Sequence, residues 1–510
     1  MTAAAACTAL GTLTIDKKEL FLPTNGASVT SAKLVPASGS GTEAVGEYCS
    51  VTVDVRPVDP SAPPIEVSVA LPTQWNKKAM HFQCGGWCGT LVQGAGKVVG
   101  MSDLASPVAR GYAGFGSDGG HKSHGLDGSF GMNDEALENF VGDQLRKTRD
   151  TAVYLMKVRY GQGPVRTYSS GGSGGGREAM YTADRWPELY DGVIAYYPVW
   201  AAGPAFYGWH TLGVAMSAPG AWSNPAKQAL ISRSVIASCD ALDGAVDGLV
   251  SNVKACNYDP AVLRCENGAD LGNTCLSDVQ LQALRVGGFT TPLTLPYPMA
   301  NGLDKTVAYN VLNAGTVPSM GAVPPGMPLS FAMPFGYMLT EPLVRNWILR
   351  DASFDPLQFS FTGNGYIQQR MKYISSRMDV NPDISPFIKK GGKLIIVHGS
   401  VDPLQSADWS DEYMKRATAA MGESAVKSSI RYYRVPGYAH GEGGAFTVSV
   451  DTLTALEQWV EGGAAPTGLV AKDINTATLG RTRPMCEYTT WPKYNGSGDI
   501  NAASSFTCSP

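Results

Sequence analysis

The chain has 510 residues, a formal net charge of −4 and only 16% charged residues. This length exceeds one small domain and suits a large core carrying an insertion, and the lack of any basic run argues against nucleic acid or an anionic membrane surface as a partner. No apolar stretch approaches the roughly 20 residues that a bilayer-spanning helix needs.

In chain order, residues 1–75 read as β-rich, with SVTVDVRPVD and IEVSVALP alternating apolar and polar positions as half-buried strands do. KAMHFQCGGWCGT is an apolar run ending in a glycine-rich loop, and RGYAGFGSDGGHKSHG is a short strand and turn. Residues 135–160 have helical periodicity and stop at Gly161. PVRTYSS is a strand, GGSGGGR a glycine cluster, REAMYTADRW a helix and DGVIAYYPV a buried strand. This alternation predicts an α/β fold with a parallel sheet. Residues 200–385 break the pattern with Pro/Gly-rich loops and short helices. GGKLIIVHGSVDP, ADWSDEYMKRATAAMG, IRYYRVPGYAHG and DTLTALEQWVEGG then restore it.

The ten cysteines are even in number, and most stand in loop-like surroundings; no CxxC pair occurs. Disulfides and an oxidising compartment, secreted or periplasmic, are expected. The opening MTAAAACTAL has no leader pattern, so we expect a leader peptide to have been replaced by the initiator Met.

Gly171-Gly172-Ser173-Gly174-Gly175 fits G-x-S-x-G, the turn that exposes a nucleophilic serine between a strand and a helix. Small neighbours are required because the backbone folds tightly there. The glycines also loosely resemble a dinucleotide turn, with Asp191 at a suitable distance, but that reading leaves the apical serine unexplained. A purely structural glycine loop is the plain alternative. The hydrolase chemistry then needs an acid and a histidine, in that order, after later strands. Asp402 follows LIIVHGS and His440 follows YYRVPGYA. Asp402 would fix the tautomer of His440, the general base for Ser173. Of the other histidines, His398 and His121 read as structural. The oxyanion needs two backbone N–H groups. Gly174 is expected to give one and the loop Cys84–Cys88, near Gly86, the other. A bridged glycine turn at that loop is compatible with both roles.

These blocks resemble the tannase and feruloyl esterase family, which includes the bacterial hydrolase of mono(2-hydroxyethyl) terephthalate. The resemblance is carried by GYAGFGSDGGH, RYGQGPVRTYSSGGSGGGREAM, RWPELYDGVIAYYP, CDALDGAVDGL, NPDISPFIKKGGKLIIVHGSVDP, PGYAHGEGG and WVEGGAAP. It implies an α/β-hydrolase core with a large lid inserted between nucleophile and acid. We place the first core segment at 1–215, the lid at 216–385 and the second core segment at 386–510. It also implies the pairs Cys7–Cys49, Cys84–Cys88, Cys239–Cys256, Cys265–Cys275 and Cys486–Cys508. Members usually have cysteines just before the nucleophile and just after the histidine. Here these are Gly172 and Gly441. If the two positions face each other, Gly172→Cys with Gly441→Cys is expected to form a bridge.

By itself, the segment from Asp240 to Leu249 is an acidic turn. The resemblance makes it a structural calcium site, with ligands from Asp240, Asp243, Asp247 and the carbonyls of Ala245 and Leu249, a donor set that suits Ca²⁺. No redox cofactor is implied. The expected function is hydrolysis of small aromatic-acid esters, feruloyl or hydroxycinnamoyl first, with gallate esters and terephthalate-type monoesters next. Trp347, Arg350 and Phe354 are the candidate substrate-binding residues in the lid, a lid-core role being the rival reading for the two aromatics. A non-catalytic ligand-binding protein on a hydrolase fold is the rival function. Oligomeric state is not legible.

Overall fold

The computed structural model describes residues 2–123, 127–286, 335–402, 404–441 and 444–510. Its centre is a ten-stranded sheet: β1 (Thr14–Ile15), β2 (Ala27–Val35), β3 (Tyr48–Val55), β4 (Ile65–Pro72), β5 (Lys78–Phe82), β6 (Ala113–Ser117), β7 (Arg166–Gly172), β8 (Gly192–Tyr196), β9 (Lys393–Gly399) and β10 (Ile430–Val435). The spatial order is β1-β2-β3-β4-β6-β5-β7-β8-β9-β10. The first four strands form an antiparallel meander, and β6 pairs antiparallel to β4. From β6 across to β10 every pairing is parallel. Residues of β3 alternate buried and half-buried, as the sequence alternation predicts. The middle strands β6 and β8 are buried throughout, because helices cover both sheet faces.

One face packs under an apolar cluster that includes Leu137, Met180, Trp347, Phe387 and Trp409. The other packs Phe82, Tyr196, Leu453, Leu456 and Trp459. The helical segment read at 135–160 runs from Asp134 to Tyr160, with a wider turn over Asn139–Asp143. Gly142 there lets Tyr181 approach; a Cβ would lie 2.6 Å from its hydroxyl. Gly161 closes the helix at φ 76, as its position predicts.

Between β8 and β9 lie residues 197–392, of which 287–334 are outside the described residues; the described ones add no strand to the sheet. This excursion differs from the short helices expected. Ala202–Met216, Pro225–Cys239 and Gly365–Met378 have 15, 15 and 14 residues. Ala202–Met216 is buried on most sides, so it lacks the polar face that makes a helix visible in sequence. The C-terminal region adds two small sheets that the sequence reading omitted. All five expected disulfides are present.

Candidate active site

Strand β7 ends at Gly172, and the helix Gly174–Arg185 begins one residue later. Ser173 sits between them at φ 61, ψ −125, a conformation unfavourable for any residue with a Cβ. Its N–H donates to the Tyr196 carbonyl at 3.0 Å, which pins the turn to the end of β8. The glycines are there for close approach. A Cβ on Gly171 would lie 2.5 Å from the Gly175 oxygen, and one on Gly174 2.8 Å from the Gly86 oxygen. One on Gly175 would meet the carbonyls of Gln83 and Cys84 at 3.0 and 3.1 Å. Strand, helix and the Cys84–Cys88 loop therefore meet backbone to backbone, which brings Gly86 beside Gly174 and Ser173.

Asp402 and His440 stand on the loops that follow β9 and β10. His440 Nδ1 is 2.7 Å from Asp402 Oδ2. The carboxylate can only accept, so Nδ1 carries the proton and Nε2 is left as an acceptor. Asp402 Oδ1 accepts from the N–H groups of Leu404 and Gln405, both at 2.9 Å. Its side chain has no solvent exposure. Burial alone would raise its pKa, but the charge of His440 and the hydrogen bonds from His398 and His440 outweigh burial and hold the carboxyl well below its ordinary range. His398 Nε2 lies 3.5 Å from Asp402 Oδ2. It also donates to the Gln405 carbonyl at 2.9 Å, while Nδ1 accepts from the Ser410 hydroxyl at 2.7 Å. His398 is thus a buried support for the acid. His121 is packed face to face with Phe130 at 3.8 Å, and burial pushes its pKa down to about 4.

The Cys84–Cys88 bridge closes the glycine loop, with Gly86 at φ 59. Under it lies Glu178, on the helix that starts after Ser173. One carboxylate oxygen accepts from the Cys84 N–H at 3.2 Å and the other from Gln144 at 3.3 Å. Burial pushes the Glu178 pKa up to about 7, against the opposing charge of Arg177. Glu178 approaches both sulfurs, but these are bonded to each other and offer no thiolate for a metal.

Ser173 and His440 line one cleft of about 440 Å³, together with Gln83, Gly86, Tyr197, Trp209 and Leu404. A larger groove of about 880 Å³ runs beside the helix Gly365–Met378 and holds none of these residues, so size does not locate the chemistry.

The model of the family described as "Tannase and feruloyl esterase" matches residues 49–509. The chain belongs to the tannase and feruloyl esterase family. An uncharacterized esterase of Agrobacterium fabrum is 36% identical over 99% of this chain and 93% of its own. The mono(2-hydroxyethyl) terephthalate hydrolase of Piscinibacter sakaiensis is 29% identical, covering 93% of this chain and 86% of its own. The crystal structure of feruloyl esterase B from Aspergillus oryzae superposes with a TM-score of 0.81 at 22% identity and full coverage of both chains. The fold is accordingly that of an α/β-hydrolase, and this member of the family is a carboxylic ester hydrolase with a small-molecule ester substrate.

The lid residues singled out from the sequence do not line the cleft. Trp347 has no exposure; its indole N–H donates to the Gly128 carbonyl at 2.8 Å, and its ring packs on Trp87 at 5.1 Å and Phe140 at 5.2 Å. Its ring thus meets Trp87 of the Cys84–Cys88 loop. Arg350 turns away at φ 56 and pairs with Asp134. Phe354 packs edge-on against Phe359 at 6.5 Å in the same apolar cluster. An aromatic and cationic run reads alike whether it faces substrate or core. Gly172 and Gly441, the positions considered for a bridge, both border Tyr197. A Cβ on Gly172 would lie 2.8 Å from the Tyr197 ring, and one on Gly441 3.3 Å from its hydroxyl. Gly441 also holds φ 88, which cysteine tolerates poorly. A cysteine pair there would have to displace the Tyr197 ring. The sequence reading also missed Glu178, Gln83 and Trp209. Only Glu178 left a trace there, one helical turn past the nucleophile.

The acidic loop is clamped at its base by Cys239–Cys256. Asp240 accepts from the Gly248 N–H at 3.0 Å, Asp243 from Ala245 and Ser251 at 3.0 Å, and Asp247 from Leu249 at 3.0 Å. Asp247 is also paired with Arg483. Burial raises the pKa of Asp240 and Asp243, and the charge of Asp247 raises both further. Three neighbouring carboxylates, two of them buried, form a donor set that fits a hard oxygen-seeking cation.

Proposed function

We propose that this esterase is a serine hydrolase that cleaves esters of aromatic acids, of the feruloyl or hydroxycinnamoyl type, through an acyl-enzyme. The observation that carries the reading is a strained Ser173 sharing one cleft with a His440 whose Nδ1 is held 2.7 Å from a buried Asp402. Ser173 Oγ attacks the ester carbonyl while His440 Nε2 takes its proton. The N–H groups of Gly86 and Gly174 stabilise the tetrahedral oxyanion. Collapse expels the alcohol, which receives the proton from His440. Water, deprotonated by His440, then attacks the acyl-enzyme and releases the acid. The excursion between β8 and β9 acts as the lid.

The cleft is walled by Val99, Tyr197, Trp209, Leu339 and Leu404, with Gln83 and Gln405 as neutral polar groups. Among the described residues no Lys or Arg lines it. A neutral aromatic acyl group suits such walls, whereas the free carboxylate of a terephthalate monoester would meet no countercharge among the described residues. We therefore expect kcat/KM for methyl ferulate to exceed those for methyl gallate and for mono(2-hydroxyethyl) terephthalate. A preference for the terephthalate monoester in the same panel contradicts this substrate reading.

The five disulfides favour an oxidising compartment, secreted or periplasmic. We further propose that Asp240, Asp243 and Asp247, with the carbonyls of Ala245 and Leu249, hold a structural Ca²⁺. Its role is to neutralise the loop. A ligand bound only by the native state stabilises it by about 2.7 kcal/mol at 100 times its Kd. Exhaustive chelation should lower the melting temperature by about a few degrees, and calcium, but not sodium, should restore it. An unmoved melting curve after verified metal removal contradicts the site.

A further inference from the structure

We propose that Tyr197 is a positioning residue for the triad: clamped between the nucleophile turn and the histidine loop, its ring holds His440 in register with Ser173. The inference rests on reading Ser173 and His440 as the reacting pair.

Tyr197 follows β8 directly and is locked into the sheet. Its N–H donates to the Val397 carbonyl at 2.8 Å, and the carbonyl before it accepts from the Ser173 N–H. Its φ is 35, an unfavourable value for a residue with a Cβ, and the side chain is directed across the end of the sheet with 7% exposure. There the ring lies 4.4 Å from the His440 imidazole, tilted by 44°. It also packs against Tyr438 at 6.0 Å, whose hydroxyl shares a hydrogen bond with it. Tyr438 and His440 stand on one loop, so one ring touches that loop twice.

The two glycines complete the clamp. A Cβ on Gly172, the residue before the nucleophile, would meet the ring Cε2, hydroxyl and Cζ at 2.8, 2.9 and 3.0 Å. A Cβ on Gly441, the residue after the base, would meet the same hydroxyl at 3.3 Å. Gly172 does not have a positive φ, so its backbone does not require glycine. What requires it is room for the ring. One rigid side chain is thus in contact range of the neighbours of both reacting residues and of the imidazole itself. Reacting groups misplaced by about 1 Å lose on the order of 10²-fold in rate, which is the scale of effect such a wedge controls.

The test uses p-nitrophenyl acetate, whose small acyl group makes little demand on the aromatic cleft. Tyr197→Ala should lower kcat by about 10- to 100-fold with little change in KM. Inactivation by a small fluorophosphonate, which reads the Ser173–His440 pair directly, should slow in parallel. Tyr197→Phe keeps the ring and should recover most of the rate. Gly172→Ala should slow the wild-type enzyme by crowding the ring, and should add no further loss in Tyr197→Ala, where the ring is gone. Wild-type kcat in Tyr197→Ala, equal damage from Phe and Ala, or full additivity with Gly172→Ala each overturns the proposal. Should Tyr197→Ala fail to fold, Gly172→Ala alone decides, and an unchanged kcat there overturns it. A Ser173→Ala control separates the two readings. Activity in that control removes the nucleophile assignment, whereas an inactive control beside a normal Tyr197→Ala removes only the role of Tyr197.

Discussion

Ser173→Ala should reduce ester hydrolysis by about 10⁴-fold or more while leaving the protein folded. In the proposed mechanism the hydroxyl supplies the bond to the acyl carbon, and Ser173 alone stands between β7 and the helix that follows. The fold should survive because alanine at φ 61 is no more strained than serine, and the close contacts of the turn are made by Gly171, Gly174 and Gly175. The melting temperature should therefore match that of wild type, measured beside kcat on p-nitrophenyl acetate. Substantial turnover in the folded variant contradicts the assignment.

Asp402→Asn should be nearly as severe, at about 10⁴-fold in kcat, for a reason visible in the hydrogen bonds. Oδ1 accepts two backbone N–H groups, from Leu404 and Gln405. An asparagine must keep its carbonyl there, which turns its NH₂ toward His440 and toward the Nε2–H of His398. Facing a donor, Nδ1 must accept, and the proton moves to Nε2, the atom that has to receive the proton of Ser173. The imidazole then holds the wrong tautomer in the right place. KM should change little, because Asp402 is buried behind the histidine. A variant with near-normal kcat would mean that His440 is oriented by something else.

Features written locally in the chain are legible in its sequence. A glycine cluster between a strand and a helix marks Ser173, because that turn cannot be built with larger neighbours. Asp402 and His440 follow apolar strands in the chain order the fold demands, so position alone singles them out. Contacts across the fold left no such record. Trp347 and Phe354 look like ligand-binding aromatics until Trp347 is seen packed on Trp87 and Phe354 on Phe359. Tyr197 reads as the end of a buried strand, and its role depends on the two distant glycines it touches. The helix Ala202–Met216 escaped notice because burial on most sides erased its periodicity.

A covalent acyl-enzyme on Ser173 is tested most directly by labelling with a fluorophosphonate ester followed by peptide mass mapping. One phosphonyl group per chain, located on the peptide that contains Ser173 and formed with loss of esterase activity in equal proportion, is the predicted result. Full loss of activity with the label on another residue, or undiminished activity in protein fully labelled at Ser173, would contradict it.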